Sequence, residues 1–169
     1  MYAVPPNPPA RRQRLRTAGT HRLFPARHLS AHRRLHVLDL ENLCGTGHLT
    51  SSLIEYVIDA YREDVGIDPS DLVVIGVSHH NMLTAGIAIP AARLCVRSGT
   101  DGADLALLDV LSDEATTGRF AGVCIGSGDG IFADIAAAVA AAGVDVVIAN
   151  GLSVTSRRLR MAARHLVQL

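Results

Sequence analysis

Five short apolar runs, rich in β-branched residues and separated by stretches of helical periodicity, leave this chain few ways to fold. They are residues 35–40 (LHVLDL), 71–78 (DLVVIGVS), 92–98 (ARLCVRS), 120–127 (FAGVCIGS) and 144–149 (VDVVIA). Runs without polar alternation have no face to give to water, and strands buried on both faces are parallel strands joined by crossover helices. The helices can be read between them. Leu49, Leu53, Tyr56, Val57, Ala60 and Tyr61 recur at helical spacing, with Thr46 or Gly47 as the expected start. A short helix is expected over 81–89, closed by Pro90, another over 101–117, and an Ala-rich one over 131–142 capped by Gly143. A last helix is expected over 156–167, with Leu159, Ala162, Ala163, Leu166 and Val167 inward and Arg157, Arg158, Arg160 and Arg164 outward. The expected architecture is a three-layer α/β/α sandwich around a mostly parallel, five-stranded sheet. Ligands of such folds bind beyond the carboxyl ends of the strands, near the point where strand order reverses.

A chain of 169 residues has room for one core, which places a single domain over residues 35–169. Residues 1–34 hold five of the seven prolines and no sustained apolar period, and read as a disordered, Arg- and Pro-rich arm. No apolar h-region follows its charges, so it is not a secretory signal; an RNA-binding arm, an organellar transit peptide and extra sequence from an upstream start codon all fit. The net charge of zero conceals a division. Residues 1–38 hold eight Arg and no acid, residues 39–145 hold four Arg and all sixteen acids, and residues 146–169 hold four Arg. A polyanion held by basic ends, with metal ions neutralising an acidic middle, suits that pattern, and the absence of Lys favours planar, bidentate contacts to phosphate. Aromatic residues are only 4%, too few for a broad base-stacking platform. Cys44, Cys95 and Cys124 form no CxxC and leave one unpaired, which argues against a disulfide framework or thiolate zinc site and for a reducing, cytoplasmic setting. No apolar span is long enough to cross a membrane.

Three acids stand where strands should end. Asp39 closes the first run in DLEN, and a carboxylate there requires donors or a cation, because losing hydration costs several kcal/mol. Asn42 follows with a neutral amide that can orient water, a ligand or Asp39 itself. Asp104 shares the i, i+3, i+4, i+7 positions of Leu107, Leu108 and Leu111, so it occupies an inward register in the first turn of its helix. A capping box with Asp101 or Thr100 is the alternative reading, and it accounts for Asp101 better than for Asp104. Asp129 lies in the Gly-rich turn IGSGDGIF after the fourth run, beside Ser127. Two like charges about 4 Å apart repel by roughly 4 kcal/mol at an effective dielectric of 20, so a converging cluster holds a proton or a divalent cation. Oxygen-only ligands favour Mg²⁺ or Mn²⁺ over Zn²⁺.

DLEN (39–42), GADLALLDVL (102–111) and IGSGDGIF (125–132) closely resemble the three motifs of NYN domains, members of the PIN-like nuclease superfamily. The order and spacing match over roughly residues 35–150. The resemblance implies a Rossmann-like parallel sheet, a divalent-metal site and endoribonuclease activity that leaves 5′-phosphate and 3′-hydroxyl ends. It implies that Asp39, Asp104 and Asp129 ligate Mg²⁺ or Mn²⁺ and that Asn42 is the motif amide. Asp109 matches a further motif acid, although an ideal helix turns it away from Asp104. Relatives often carry a second acid two residues after the third Asp; this chain has Ile131 there, with Asp134 one helical turn on. Asp101, Asp109, Ser127 and Asp134 are therefore additional candidate site residues. Arg157, Arg158, Arg160 and Arg164 are candidate RNA-phosphate contacts, with a solvated face as the alternative. RNA and a second copy of the chain are the expected partners. A catalytically weak RNA-binding or regulatory module of the same fold is the alternative to a nuclease.

Other chemistries fit less well. GSGDGI has Ile131 where a dinucleotide fingerprint needs its third small residue, and it follows the fourth run rather than the first. GTG (45–47) lacks the Lys-Ser/Thr of a phosphate loop. His79 and His80 follow the second run without an HExxH pattern, and no G-x-S-x-G elbow supports a hydrolase built on Ser78 or Ser127.

Overall fold

The computed structural model describes residues 32–169, so the arm expected over 1–34 lies outside the described residues except for its last three. Of those, Arg34 is already the first residue of a strand. Each apolar run forms a strand: β1 (Arg34–Asp39), β2 (Leu72–Val77), β3 (Arg93–Val96), β4 (Gly122–Gly126) and β5 (Asp145–Asn150). A sixth, β6 (His165–Gln168), was not expected. The order is β3-β2-β1-β4-β5-β6 and every neighbouring pair is parallel. Helices flank this sheet, giving an α/β sandwich with six strands rather than five.

The helices between strands are α1 (Leu40–Cys44) and α2 (Ser51–Asp64), α3 (Met82–Ala88), α4 (Gly102–Glu114), α5 (Ala133–Ala141) and α6 (Arg157–Ala162). Alternate residues of the strands feed two cores. Leu35, Val37, Val123, Ile125, Val146 and Ile148 pack with Leu107 and Leu111 of α4, Ala136 and Val139 of α5 and Leu159 of α6. Leu38, Ile75, Val77, Cys124 and Ala149 pack on the other side with Leu43 of α1, Ile54, Val57, Ile58 and Tyr61 of α2, and Ala85 of α3.

The bounds of α3, α4 and α5 differ from the sequence reading by one to three residues, and two helix boundaries differ by more. Thr50, not Thr46 or Gly47, caps α2, its hydroxyl accepting from Leu53 N at 3.3 Å. Leu49 is buried but precedes the helix, and a single turn, α1, follows β1 directly. At the other end, α6 stops at Ala162 because Ala163 turns extended, with φ −76° and ψ 133°. Residues 165–168 then pair with β5, Val147 opposite His165 and Asn150 opposite Gln168, so Leu166 and Val167 belong to a strand and Arg164 lies beyond the helix. The physical reason is the open edge of β5. Its backbone groups need partners, and four residues of apolar periodicity are too few to outweigh that pairing. Gln168 adds side-chain bonds to the carbonyls of Asn150 and Gly151, at 3.3 and 2.8 Å.

From β1 the chain moves outward through β2 and β3, then returns to lay β4 on the other side of β1. The reversal opens a crevice at the carboxyl ends of β1 and β4, where helices on opposite faces diverge.

Candidate active site at the carboxyl edge of the sheet

Asp39 is the last residue of β1 and the N-cap of α1. Its Oδ1 accepts from the backbone N–H of Asn42 at 3.1 Å, and Ser127 Oγ donates to Oδ2 at 3.2 Å. The side chain is thus fixed from α1 and from the turn after β4 while Asp39 is only 5% exposed. Burial pushes its acidity weaker than an ordinary carboxyl, and the bonds from Asn42, Asp104 and Ser127 only partly offset that.

Asp104 arrives from α4, in the first turn of that helix. The approach depends on Gly76 of β2, which pairs with Asp39. A Cβ at Gly76 would stand 2.7 Å from Leu107 side-chain atoms and 3.2 Å from the Ala103 carbonyl oxygen. Glycine there lets the start of α4 settle against β1 and β2, and the Asp104 carboxyl faces the same cavity as Asp39, near enough for each to shift the other's acidity. Burial, then the neighbouring charge of Asp39, then Asp129 and Asp101, push Asp104 up to about 7. The capping-box alternative is not what forms. Asp101 is the N-cap in a left-handed conformation, φ 56°, and makes no side-chain cap bond. It lines the cavity instead.

Asp129 follows β4, exposed at the rim, its Oδ1 accepting from Ile131 N at 3.0 Å and its own N–H bonded to Ser127 Oγ at 3.1 Å. Ser127, fully buried, therefore ties Asp39 to the Asp129 turn. Asn42 performs a related task. Its side-chain oxygen accepts from Gly128 N at 2.7 Å and from Ser153 Oγ at 2.6 Å, so of the three roles open to it from the sequence, orienting Asp39 through that oxygen is not the one it takes. With that oxygen committed, the amide leaves its NH₂ as a donor for the cavity it lines. Gly128 is needed for the same junction. A Cβ there would lie 2.7 Å from Asn150 Oδ1 and 2.8 Å from the Val154 carbonyl oxygen. The glycine admits the chain's own loop rather than a dinucleotide.

Together Asp39, Asn42, Asp101, Asp104 and Asp129 line one cavity of about 220 Å³ with Glu41, Ser78 and Arg97. The last three were missed. Glu41 Oε1 accepts from Ser78 N at 3.0 Å, from Ser78 Oγ and from Asn81 Nδ2 at 2.7 Å. Burial works against its ionisation, but those bonds outweigh it and hold Glu41 below the usual range. Asn81, itself buried, also donates to the Gly47 carbonyl at 2.9 Å and accepts from Leu49 N at 3.3 Å. Glu41 thus latches the end of β2 to the loop before α2. The signal was present, since SHHN (78–81) begins at the last residue of the second run. Arg97, inside the third run as read from the sequence, follows the strand itself, which ends at Val96.

Some expected residues lie elsewhere. Asp109 is exposed on α4 and pairs with Arg97 at 3.4 Å without lining the cavity. Asp134 pairs with Arg158 at 2.8 Å in a separate surface groove, so it does not replace the acid missing at Ile131, whose side chain packs on the core. Arg157, Arg158, Arg160 and Arg164 are all exposed and none lines the cavity. Cys44 is no nucleophile: burial and the Asp39 charge push its thiol up to about 11.

Among the described residues, no three His, Cys, Asp or Glu side chains are grouped tightly enough to enclose a metal ion. Mg²⁺ is commonly held by one or two carboxylates, with water and substrate phosphate completing its shell. The close Asp39–Asp104 pair, with Asp129 adding charge at the rim, fits that smaller requirement.

No protein-family model and no curated protein matches this sequence. Among solved structures, the chain is similar to a protein of unknown function from Vibrio parahaemolyticus. The likeness has a TM-score of 0.52 at 13% identity and covers 82% of this chain and 93% of that one. It supports the fold and carries no activity with it. No helix among the described residues is long and apolar enough to cross a membrane.

Proposed function

We propose that this chain is a divalent-metal-dependent endoribonuclease of the NYN, PIN-like kind, on a Rossmann-like sheet. The observation that carries the reading is the Asp39–Asp104 pair: two carboxyls from different elements, held together at the strand-order reversal, with Asp101 and Asp129 raising the charge further. Such crowding weakens the resting fold and is relieved by a cation. Asp39 and Asp104 would hold Mg²⁺ or Mn²⁺, with Asp129 reaching it directly or through water. When bound, the ion supplies charge neutralisation for a phosphodiester and a lowered pKa for attacking water.

The protein's own part is positioning. Asn42 N–H and Ser127 fix the Asp39 carboxylate, Ser127 fixes the Asp129 turn, and the Asn42 NH₂ offers a donor to a phosphoryl oxygen. Arg97, on the same cavity, offers a guanidinium to the neighbouring phosphate. RNA is the proposed partner, and the terminal Arg residues its outlying contacts.

Incubation with labelled single-stranded RNA tests this. Cleavage with Mn²⁺ that EDTA stops and Asp129→Asn abolishes supports the nuclease. One observation favours a second reading, a catalytically weak RNA-binding module: Ile131 replaces a carboxylate and Asp134 is engaged by Arg158. Binding without cleavage at any Mn²⁺ concentration selects it.

A further inference from the structure

The two edges of the sheet are not alike. At one, β3 begins with exposed Arg93, and exposed Arg97 follows its last residue, so charge guards that edge against another strand. At the other, residues His165 to Gln168 of β6 include no Lys, Arg, acid or Pro and pair with β5 residue for residue, without a bulge. None of those protections is present there. The backbone groups left open can be assigned. Leu169 N donates to the Asn150 carbonyl at 2.9 Å, so residue 169 faces β5, and by strand alternation so do 167 and 165. Leu166 and Gln168 therefore point their N–H and C=O away from β5, where no further strand lies among the described residues. Leu166 is also 44% exposed. The edge is held in place from behind: Gln168 Nε2 donates to the carbonyls of Asn150 and Gly151, and Asn150 Nδ2 donates to Gln168 Oε1 at 3.1 Å.

We propose that β6 is a dimer edge, which pairs antiparallel with β6 of a second copy about a two-fold axis at Val167. The two outward residues lie two positions apart, and that spacing makes the edge complementary to itself. Leu166 of one copy falls opposite Gln168 of the other, and the reverse, each pair exchanging both of its N–H···O bonds. Moving the register by one residue sets outward groups against inward ones. Moving it by two leaves a single pair of strand residues, on the axis. The same four residues thus supply both sides of the contact, and Val167 meets Val167 across the axis, a β-branched pair at the closer spacing of an antiparallel ladder, about 4.5 Å between Cα atoms. So short a ladder makes a weak dimer, with Kd on the order of 10–100 μM. The second sheet runs the opposite way, and no residue of β6 lines the acidic cavity, so both cavities stay open. The proposal therefore stands apart from the nuclease reading.

Sedimentation equilibrium of the full chain, from about 5 to about 500 μM, should show monomer giving way to dimer. Leu166→Pro removes one outward N–H, a change that an edge strand tolerates, so this variant should keep its Tm within a few degrees of wild type and stay monomeric throughout. Val167→Cys, in a Cys95→Ser background where the remaining native cysteines are buried, should form an interchain disulfide under mild oxidation, because the expected Cα separation lies in the disulfide range. Leu166→Cys, which faces Gln168, should not. The cross-link reads the same edge and register if Leu166→Pro fails to fold. A Leu166→Pro dimer as tight as wild type, or equal cross-linking at 166 and 167, overturns the proposal. So does a wild type that is still monomeric at about 500 μM, which leaves the edge to residues 1–31 or to another protein. RNA cleavage per chain should be equal in wild type and Leu166→Pro. A chain that dimerises without cleaving RNA refutes the nuclease reading alone, and one that cleaves without dimerising refutes the β6 pairing alone.

Discussion

Replacing Asp104 with Asn should make the protein more stable. The Asp104 carboxyl is raised to about 7 in the folded chain, by burial and by the charges of Asp39, Asp129 and Asp101. Unfolded, it returns to the ordinary range near 4. Between those values the folded state binds the extra proton, so stability falls as pH rises, and the loss is complete above about pH 7. Each pH unit is worth ~1.4 kcal/mol, so full shielding would give about 4 kcal/mol. The side chain is half-buried, and solvent screening reduces this to about 1–2 kcal/mol. For a domain of this size that is a rise of about 3–6 °C in Tm. Thermal melts of wild type and Asp104→Asn in EDTA, from pH 5 to 8, read it. The gap should be largest at pH 8 and shrink as pH falls. Millimolar Mg²⁺ should narrow it by raising the wild-type Tm alone. A variant no more stable at pH 8, or a gap that widens toward pH 5, would refute the reasoning.

Further expectations concern the scaffold. His36 is fully buried, with Nδ1 2.8 Å from Tyr61 Oη and Nε2 3.0 Å from Asp71 Oδ2. Burial lowers its pKa despite Asp71, so its contribution is intact above about pH 6.5 and lost as pH falls below that. In an Asp104→Asn background the urea midpoint should therefore drop between pH 7 and 5, and His36→Gln should flatten that slope. Gly128→Ala forces a Cβ against Asn150 and the Val154 carbonyl, and should cost about 1–3 kcal/mol by chemical denaturation. Asn42→Ala leaves the Gly128 N–H without its acceptor and Ser153 Oγ with Asn150 Oδ1 alone, a loss of about 1–3 kcal/mol by chemical denaturation, whereas Asn42→Asp keeps the acceptor but adds a charge to the acidic cavity, so its Tm should fall below wild type as pH rises from 5 to 8 and recover in millimolar Mg²⁺.

The strands and their parallel arrangement were legible because β1, β4 and β5 are almost wholly buried, and burial on both faces leaves a signature in residue type alone. The sixth strand was not, because HLVQ is set by the edge it joins rather than by its own pattern. In the site, Asp39 and Asp104 could be found since each breaks an apolar register, and a carboxylate in such a position demands an explanation. Glu41, Ser78 and Asn81 break no register. Their roles arise from loops that meet only when β2 is laid beside β1, and a sequence pattern does not carry that meeting. Asp134 shows the converse: it is close in sequence to the motif yet turned by one helical step toward Arg158.

The account stands on the paired carboxyls accepting a divalent cation. Electron paramagnetic resonance of free Mn²⁺, titrated with protein at neutral pH, measures that directly. Wild-type protein should remove the free-ion signal with saturation at one or two ions per chain, and Asp39→Asn with Asp104→Asn should leave it unchanged. A wild-type titration that matches the double variant would contradict the account.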